Sequence, residues 1–220
     1  MKKMLITGAG SGLGAELAKG YSEDGYHIIL VGRSIEKLKK VADEINERGG
    51  SCECMSHDVS SPDSVKELKN KLLHKQQGID CLINNAGVGI FGPIEEVTVD
   101  EINTMLDVNV KGTILVTKEL INHVGEKIIN IISTAGLRGK VNEAVYCASK
   151  FAVRGFTESL QTEFEDRGIK ITAVYMGGMN TPFWENSTHI KDKTRLKSPS
   201  EVAKEIIMKD DGRKEIIIGK

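Results

Sequence analysis

Several things are scarce in this chain of 220 residues. Charge of one sign is the first: 31 Asp and Glu nearly cancel 30 Lys and Arg, for a formal net charge of -1. No basic field therefore marks a surface for nucleic acid or for an anionic membrane. Cysteine is scarce too. Cys52, Cys54, Cys81 and Cys147 include no C-x-x-C pair, and the five histidines include no H-x-x-x-H pair, so neither a disulfide scaffold nor a metal site is expected. No apolar run approaches the roughly 20 residues that span a bilayer. The start, Met1-Lys2-Lys3-Met4-Leu5-Ile6-Thr7-Gly8, enters a strand-like segment at once and leaves no room for the apolar region of a signal peptide, which points to the cytoplasm. Only four prolines occur, with no linker rich in Pro, Gly or Ser, and residues 1–220 are expected to form one domain.

What the chain has is glycine, 23 residues of it, and much of it recurs in one context. Gly25, Gly49-Gly50, Gly78, Gly125, Gly168 and Gly212 each stand between a helix-like stretch and an apolar strand. Glycine in that place supplies the left-handed turn that ends a helix. Start signals complement it: Ser61-Pro62 and Ser198-Pro199 put an N-cap before a proline, and Thr98-x-x-Glu101 and Ser198-x-x-Glu201 have the spacing of capping boxes. Strands are expected near 4–7, 27–31, 51–56, 80–84, 127–132, 170–176 and 215–219, several of them apolar on consecutive residues. Strands of that kind are buried on both faces. Alternating strands and helices with doubly covered strands predict an α/β fold, a doubly wound, mostly parallel sheet of the Rossmann type with helices on both faces. One long stretch lacks periodicity, residues 181–197, and is read as a short substrate lid.

Directly after the first strand stand Gly8-Ala9-Gly10-Ser11-Gly12-Leu13-Gly14, opening an amphipathic run. Glycines let a backbone approach a pyrophosphate, and the free N–H groups at a helix start stabilise its charge. Further along, Tyr146 and Lys150 lie four apart in a helical pattern and so share a face. A phenol with a pKa of about 10 needs roughly 4 kcal/mol of help to act as a base near neutrality, and a neighbouring ammonium supplies part of it. A Tyr-x-x-x-Lys pair alone is common by chance. Here it follows Ser133 at the end of the fifth strand and Asn84-Asn85-Ala86-Gly87 at the end of the fourth, at the strand ends where doubly wound sheets bind ligands.

With Thr7, Gly8, Gly12 and Gly14, Asp58-Val59, the Asn-Asn-Ala-Gly run, Asn109, Ser133 and the Tyr146-to-Lys150 string Y-x-A-S-K, the chain resembles the short-chain dehydrogenase/reductase family over nearly its whole length. The resemblance implies strand order 3-2-1-4-5-6-7 and a carbonyl–alcohol oxidoreductase using a nicotinamide dinucleotide. It implies Tyr146 as general acid/base, Ser133 holding the substrate oxygen, Lys150 lowering the Tyr pKa and binding the nicotinamide ribose, and Asn109 anchoring a relay water. Asp58 and Val59, with Asn85, Ala86 and Gly87, would border the adenosine, and Gly177 and Thr181 would meet the carboxamide and phosphate. A homodimer or homotetramer is implied, through the apolar helix from Glu101 to Asn122.

Where the family has Pro-Gly, this chain has Met176-Gly177, which removes a fixed φ at that turn. The second strand ends at Gly32 with Arg33 next. No carboxylate stands there to hold the 2′-hydroxyl of NAD or repel a 2′-phosphate, so NADP(H) is expected over NAD(H). The alternative is a protein of the same fold that holds the dinucleotide as a sensor without turnover. Cys52 and Cys54 are read as buried small hydrophobes, Phe183 and Trp184 as pocket or packing residues, and His189 as a solvated loop residue.

Overall fold

The computed structural model describes residues 1–74, 78–181, 183 and 196–219. Seven strands, β1 (Lys3–Thr7), β2 (His27–Gly32), β3 (Ser51–Ser56), β4 (Ile79–Asn84), β5 (Val124–Ile131), β6 (Lys170–Met176) and β7 (Glu215–Ile218), form one sheet in the order 3-2-1-4-5-6-7. Every neighbouring pair is parallel, so the expectation of a mostly parallel sheet is met in full.

Period-2 alternation sorts the strand side chains onto two cores. Met4, Ile6, Ile28 and Leu30 point to one face, where α1 (Gly12–Glu23), α2 (Ile35–Glu47) and α7 (Pro199–Lys209) cover them. Leu5, Ile29, Leu82 and Ile128 point to the other, beneath α3 (Pro62–His74), α5 (Thr113–Leu120) and α6 (Ala144–Glu163). Burial on both faces holds for the inner strands. It does not hold at the edges, where β7 alternates buried and exposed residues and β3 is largely half-buried. Cys52 and Cys54 lie on β3 and are therefore half-buried, not buried as the sequence suggested.

Both capping boxes form, at Thr98 before α4 (Val99–Met105) and at Ser198 before α7, and the Ser61 hydroxyl accepts the Ser64 N–H at the start of α3. Of the glycine junctions, Gly25, Gly49, Gly168 and Gly212 take the left-handed conformation; Gly78 does not, and Gly125 lies inside β5. The helix expected over 101–122 is interrupted, because residues Leu106–Gly112 between α4 and α5 wind as a π-helix. π segments widen a helix locally and often accompany functional sites. This one carries Asn109. Residues 182 and 184–195 of the segment read as a lid, Trp184 and His189 among them, lie outside the described residues. Its described flanks lie side by side, since Met179 bridges Lys197 and the Asn180 N–H donates to the Lys197 carbonyl.

Candidate active site

The strand order reverses direction between β1 and β4, and the carboxyl ends of those strands open onto a cavity of about 760 Å³. At a topological switch point the loops leaving adjacent strands diverge, which leaves this crevice. One end of it is stitched together by Thr7. Its hydroxyl accepts the N–H groups of Asn85 and Ala86 at 3.0 and 3.1 Å, while the Asn85 side-chain amide donates to the carbonyls of Thr7 and Gly8. The turn is consequently held against the end of β4. A Cβ on Gly14 would stand 2.4 Å from the Gly8 carbonyl oxygen and 2.5 Å from the Asn85 amide nitrogen, so the first turn of α1 packs where only glycine fits.

Gly8, Gly10, Ser11, Gly12 and Leu13 line the cavity; Gly14 supports them from behind. Ser11 caps α1 without a side-chain cap bond, so the first N–H groups of that helix remain available to an anion. The donors, the helix end and the glycine cradle fit a pyrophosphate. Arg33 and Asp58 lie at the far end with Val59, and Asn85, Ala86 and Gly87 form part of the wall. Burial works against ionisation of Asp58, but two hydrogen bonds from Ser60 and the charges of Arg33 and Lys111 hold its carboxyl below the usual range. Arg33 is exposed, and Lys37, in the first turn of α2, lines the same cavity beside Gly10. Sequence reasoning missed Lys37, although its place four residues after Arg33 on a helix start was a usable signal.

Tyr146 and Lys150 lie one turn apart on α6, and Ser133 stands just beyond β5. Gly136 brings them together: a Cβ there would lie 2.7 Å from the Ile132 side chain and 3.0 Å from the Lys150 carbonyl oxygen. All three line the cavity. Burial raises the Tyr146 pKa, and a hydrogen bond with Ser133 opposes that rise. Burial pushes the Lys150 ammonium down to about 8, where its Nζ donates to the Ile131 carbonyl and lies 5.7 Å from the centre of the Tyr146 ring.

Asn109 is buried and does not line the cavity. Its amide donates to the Val88 carbonyl at 2.8 Å and to the Ser149 hydroxyl at 3.0 Å, and its Oδ1 accepts the Val88 N–H at 2.8 Å. Ser149 in turn donates to the Tyr146 carbonyl. Asn109 thus clasps the loop after β4 to the helix bearing Tyr146. Beneath runs a buried ladder that the sequence reading also missed, Thr117 to Asn84 to Asn130 to Thr157, joining β4 and β5 to α5 and α6. Asparagines inside apolar strands were its only trace. Gly177 and Thr181 border the cavity, Thr181 against Gly12, and Met176 keeps strand register with Ile218 despite replacing the family's proline.

The short chain dehydrogenase family model matches residues 2–192. The chain belongs to the short-chain dehydrogenase family. A 3beta-hydroxysteroid dehydrogenase of Mediterraneibacter gnavus is 36% identical over 199 residues, 89% of this chain and 72% of that protein. Among solved structures, an alcohol dehydrogenase from Thermococcus sibiricus complexed with 5-hydroxy-NADP superposes with a TM-score of 0.89 at 27% identity, covering 99% of this chain and 95% of that one. A 3-ketoacyl-(acyl-carrier-protein) reductase from Brucella melitensis complexed with NADH reaches 0.87 at 29% identity, with 99% and 95% covered. The dehydrogenase is an oxidoreductase of this family on a Rossmann-type fold. Among its described residues, no helix is long and apolar enough to cross a membrane.

Proposed function

We propose that this dehydrogenase interconverts a ketone or aldehyde and an alcohol with NADP(H), using Tyr146 as general acid/base. The observation that carries the reading is one cavity with the pyrophosphate cradle, Arg33 and Asp58 toward one end and Ser133, Tyr146 and Lys150 at the other. When bound, the reduced nicotinamide supplies a hydride. The substrate carbon receives that hydride, and the carbonyl oxygen, held by the Ser133 hydroxyl, receives the Tyr146 proton. In the reverse direction Tyr146 takes the alcohol proton. Burial holds the phenol above its ordinary pKa, so the Ser133 hydrogen bond, the Lys150 ammonium and the cationic charge of the oxidised cofactor all act to favour the phenolate. Asn109 acts through position, clasping Val88 against α6.

Arg33, with no carboxylate at Gly32, supports NADPH over NADH through charge-assisted hydrogen bonds to the 2′-phosphate. Exposed Leu106, Ile114 and Phe151 support association into a homodimer or homotetramer, which light scattering tests. The deciding experiment follows NADPH absorbance over a panel of aldehydes and ketones, with Tyr146→Phe beside the wild type. Consumption that the Tyr146→Phe variant loses is expected. Tight NADPH binding with no turnover of any carbonyl would favour the sensor reading instead.

A further inference from the structure

The cavity beyond Ser133 differs in character from the rest. Tyr146 is 6% exposed there, and two phenylalanines stand around its ring. Phe91 meets it edge-on with centroids 5.3 Å apart, and Phe183 lies 5.8 Å from it and 5.9 Å from Phe91. The trio closes because residue 89 is glycine: a Cβ there would lie 2.4 Å from the Phe183 ring and 2.5 Å from the Phe91 ring. Val88, packed in the same cluster, extends the apolar wall. Of the charged residues described at this end, Lys150 turns its ammonium to the Ile131 carbonyl, and Lys140 and Glu143 lie 3.8 Å from each other.

A carbonyl that reaches the hydroxyls of Tyr146 and Ser133 must lay the rest of its molecule along Phe183 and this wall. Substrate hydroxyls set against those side chains would leave water without a partner in return, whereas a flat or puckered hydrocarbon ring meets an aromatic face at little conformational cost. Resting on the carbonyl reductase reading above, we infer that the substrate class is an apolar cyclic ketone, with Phe183, backed by Phe91 and seated by Gly89, as the specificity surface. Neither phenylalanine takes part in the proton transfer.

Three probes test this with NADPH: 2-decalone, dihydroxyacetone and 4-oxocyclohexanecarboxylate. The expected result is kcat/KM for 2-decalone at least tenfold above each of the others, in line with the discrimination one apolar contact provides. Phe183→Leu removes the flat wall, and Gly89→Ala drives both rings from their seats. Each should shrink the ratio of decalone to dihydroxyacetone several-fold, with NADPH titration by fluorescence reporting that the dinucleotide end remains folded. Equal or higher kcat/KM for dihydroxyacetone or the carboxylate overturns the substrate class and leaves the reductase reading standing. An unchanged ratio in both variants removes the two phenylalanines as its cause. Bound NADPH with no turnover of any probe overturns both.

Discussion

The two ends of the cavity are built by different means. At the phosphate end the working groups are backbone N–H donors, and the geometry is held by what side chains would collide with: Gly14 against Gly8, and Gly8 against the Ala86 backbone. At the proposed catalytic end the groups are side chains from just beyond β5 and from α6, held by a clasp through Asn109 and Ser149 and by a ladder of buried amides and hydroxyls below. At Gly8 and Gly14 the first end has no room for a Cβ, while the second depends on side chains whose own ionisation resists burial. Loss at the first should appear as lost binding, and loss at the second as lost turnover or as altered dependence on pH.

Tyr146→Phe gives the widest split. Turnover should fall by the 10² to 10⁴ typical of a lost acid/base group, with NADPH affinity retained, as steady-state kinetics and a fluorescence titration would report. A fall in affinity equal to the fall in turnover would erase the contrast between the ends. Lys150 sharpens it through stability. Burial holds its pKa at about 8 against an ordinary 10.5, so between those values the unfolded chain binds more protons and the Lys150 contribution to stability rises with pH. Below about pH 8 the buried ammonium is a standing cost of order 3 kcal/mol, less its bond to the Ile131 carbonyl. Lys150→Met should therefore raise the thermal stability of the cofactor-free chain at pH 7 while abolishing activity. That gain should shrink as pH rises from 8 to 10.5, and a gain independent of pH would mean that packing, not charge, is responsible.

Gly14→Ala attacks the other end. A Cβ 2.4 Å from a carbonyl oxygen forces the turn to move, at about 1–3 kcal/mol, so NADPH affinity should drop with a parallel loss in Tm. Arg33→Ala is the mildest. The wild type should favour NADPH over NADH by about tenfold to hundredfold in kcat/KM, and the variant should lose most of that preference without loss of Tm. A wild-type preference for NADH would refute the cofactor assignment outright. A preference that survives Arg33→Ala would move it onto Lys37, which lines the same cavity.

The same division explains what was legible beforehand. Strands apolar on consecutive residues, capping boxes at Thr98 and Ser198, and the Gly8-to-Gly14 turn are local patterns, and each forms close to where the sequence placed it, β5 starting three residues earlier at Val124. Gly125 misled because a glycine before an apolar run also suits the start of a strand, and the 101–122 helix misled because nothing local announces a π turn at Asn109.

By itself, then, the sequence determined the alternation of elements, the glycine turn and the choice of Ser133, Tyr146 and Lys150 as the candidates proposed for catalysis, because backbone propensity and side-chain chemistry act over a few residues. Only the tertiary structure decided that Asn109 serves as a clasp, that Lys37 joins Arg33 in lining the cavity, and that Gly89 seats two phenylalanines around Tyr146. Those outcomes depend on contacts between residues far apart in the chain, whose distances are set when seven strands pack between two layers of helices.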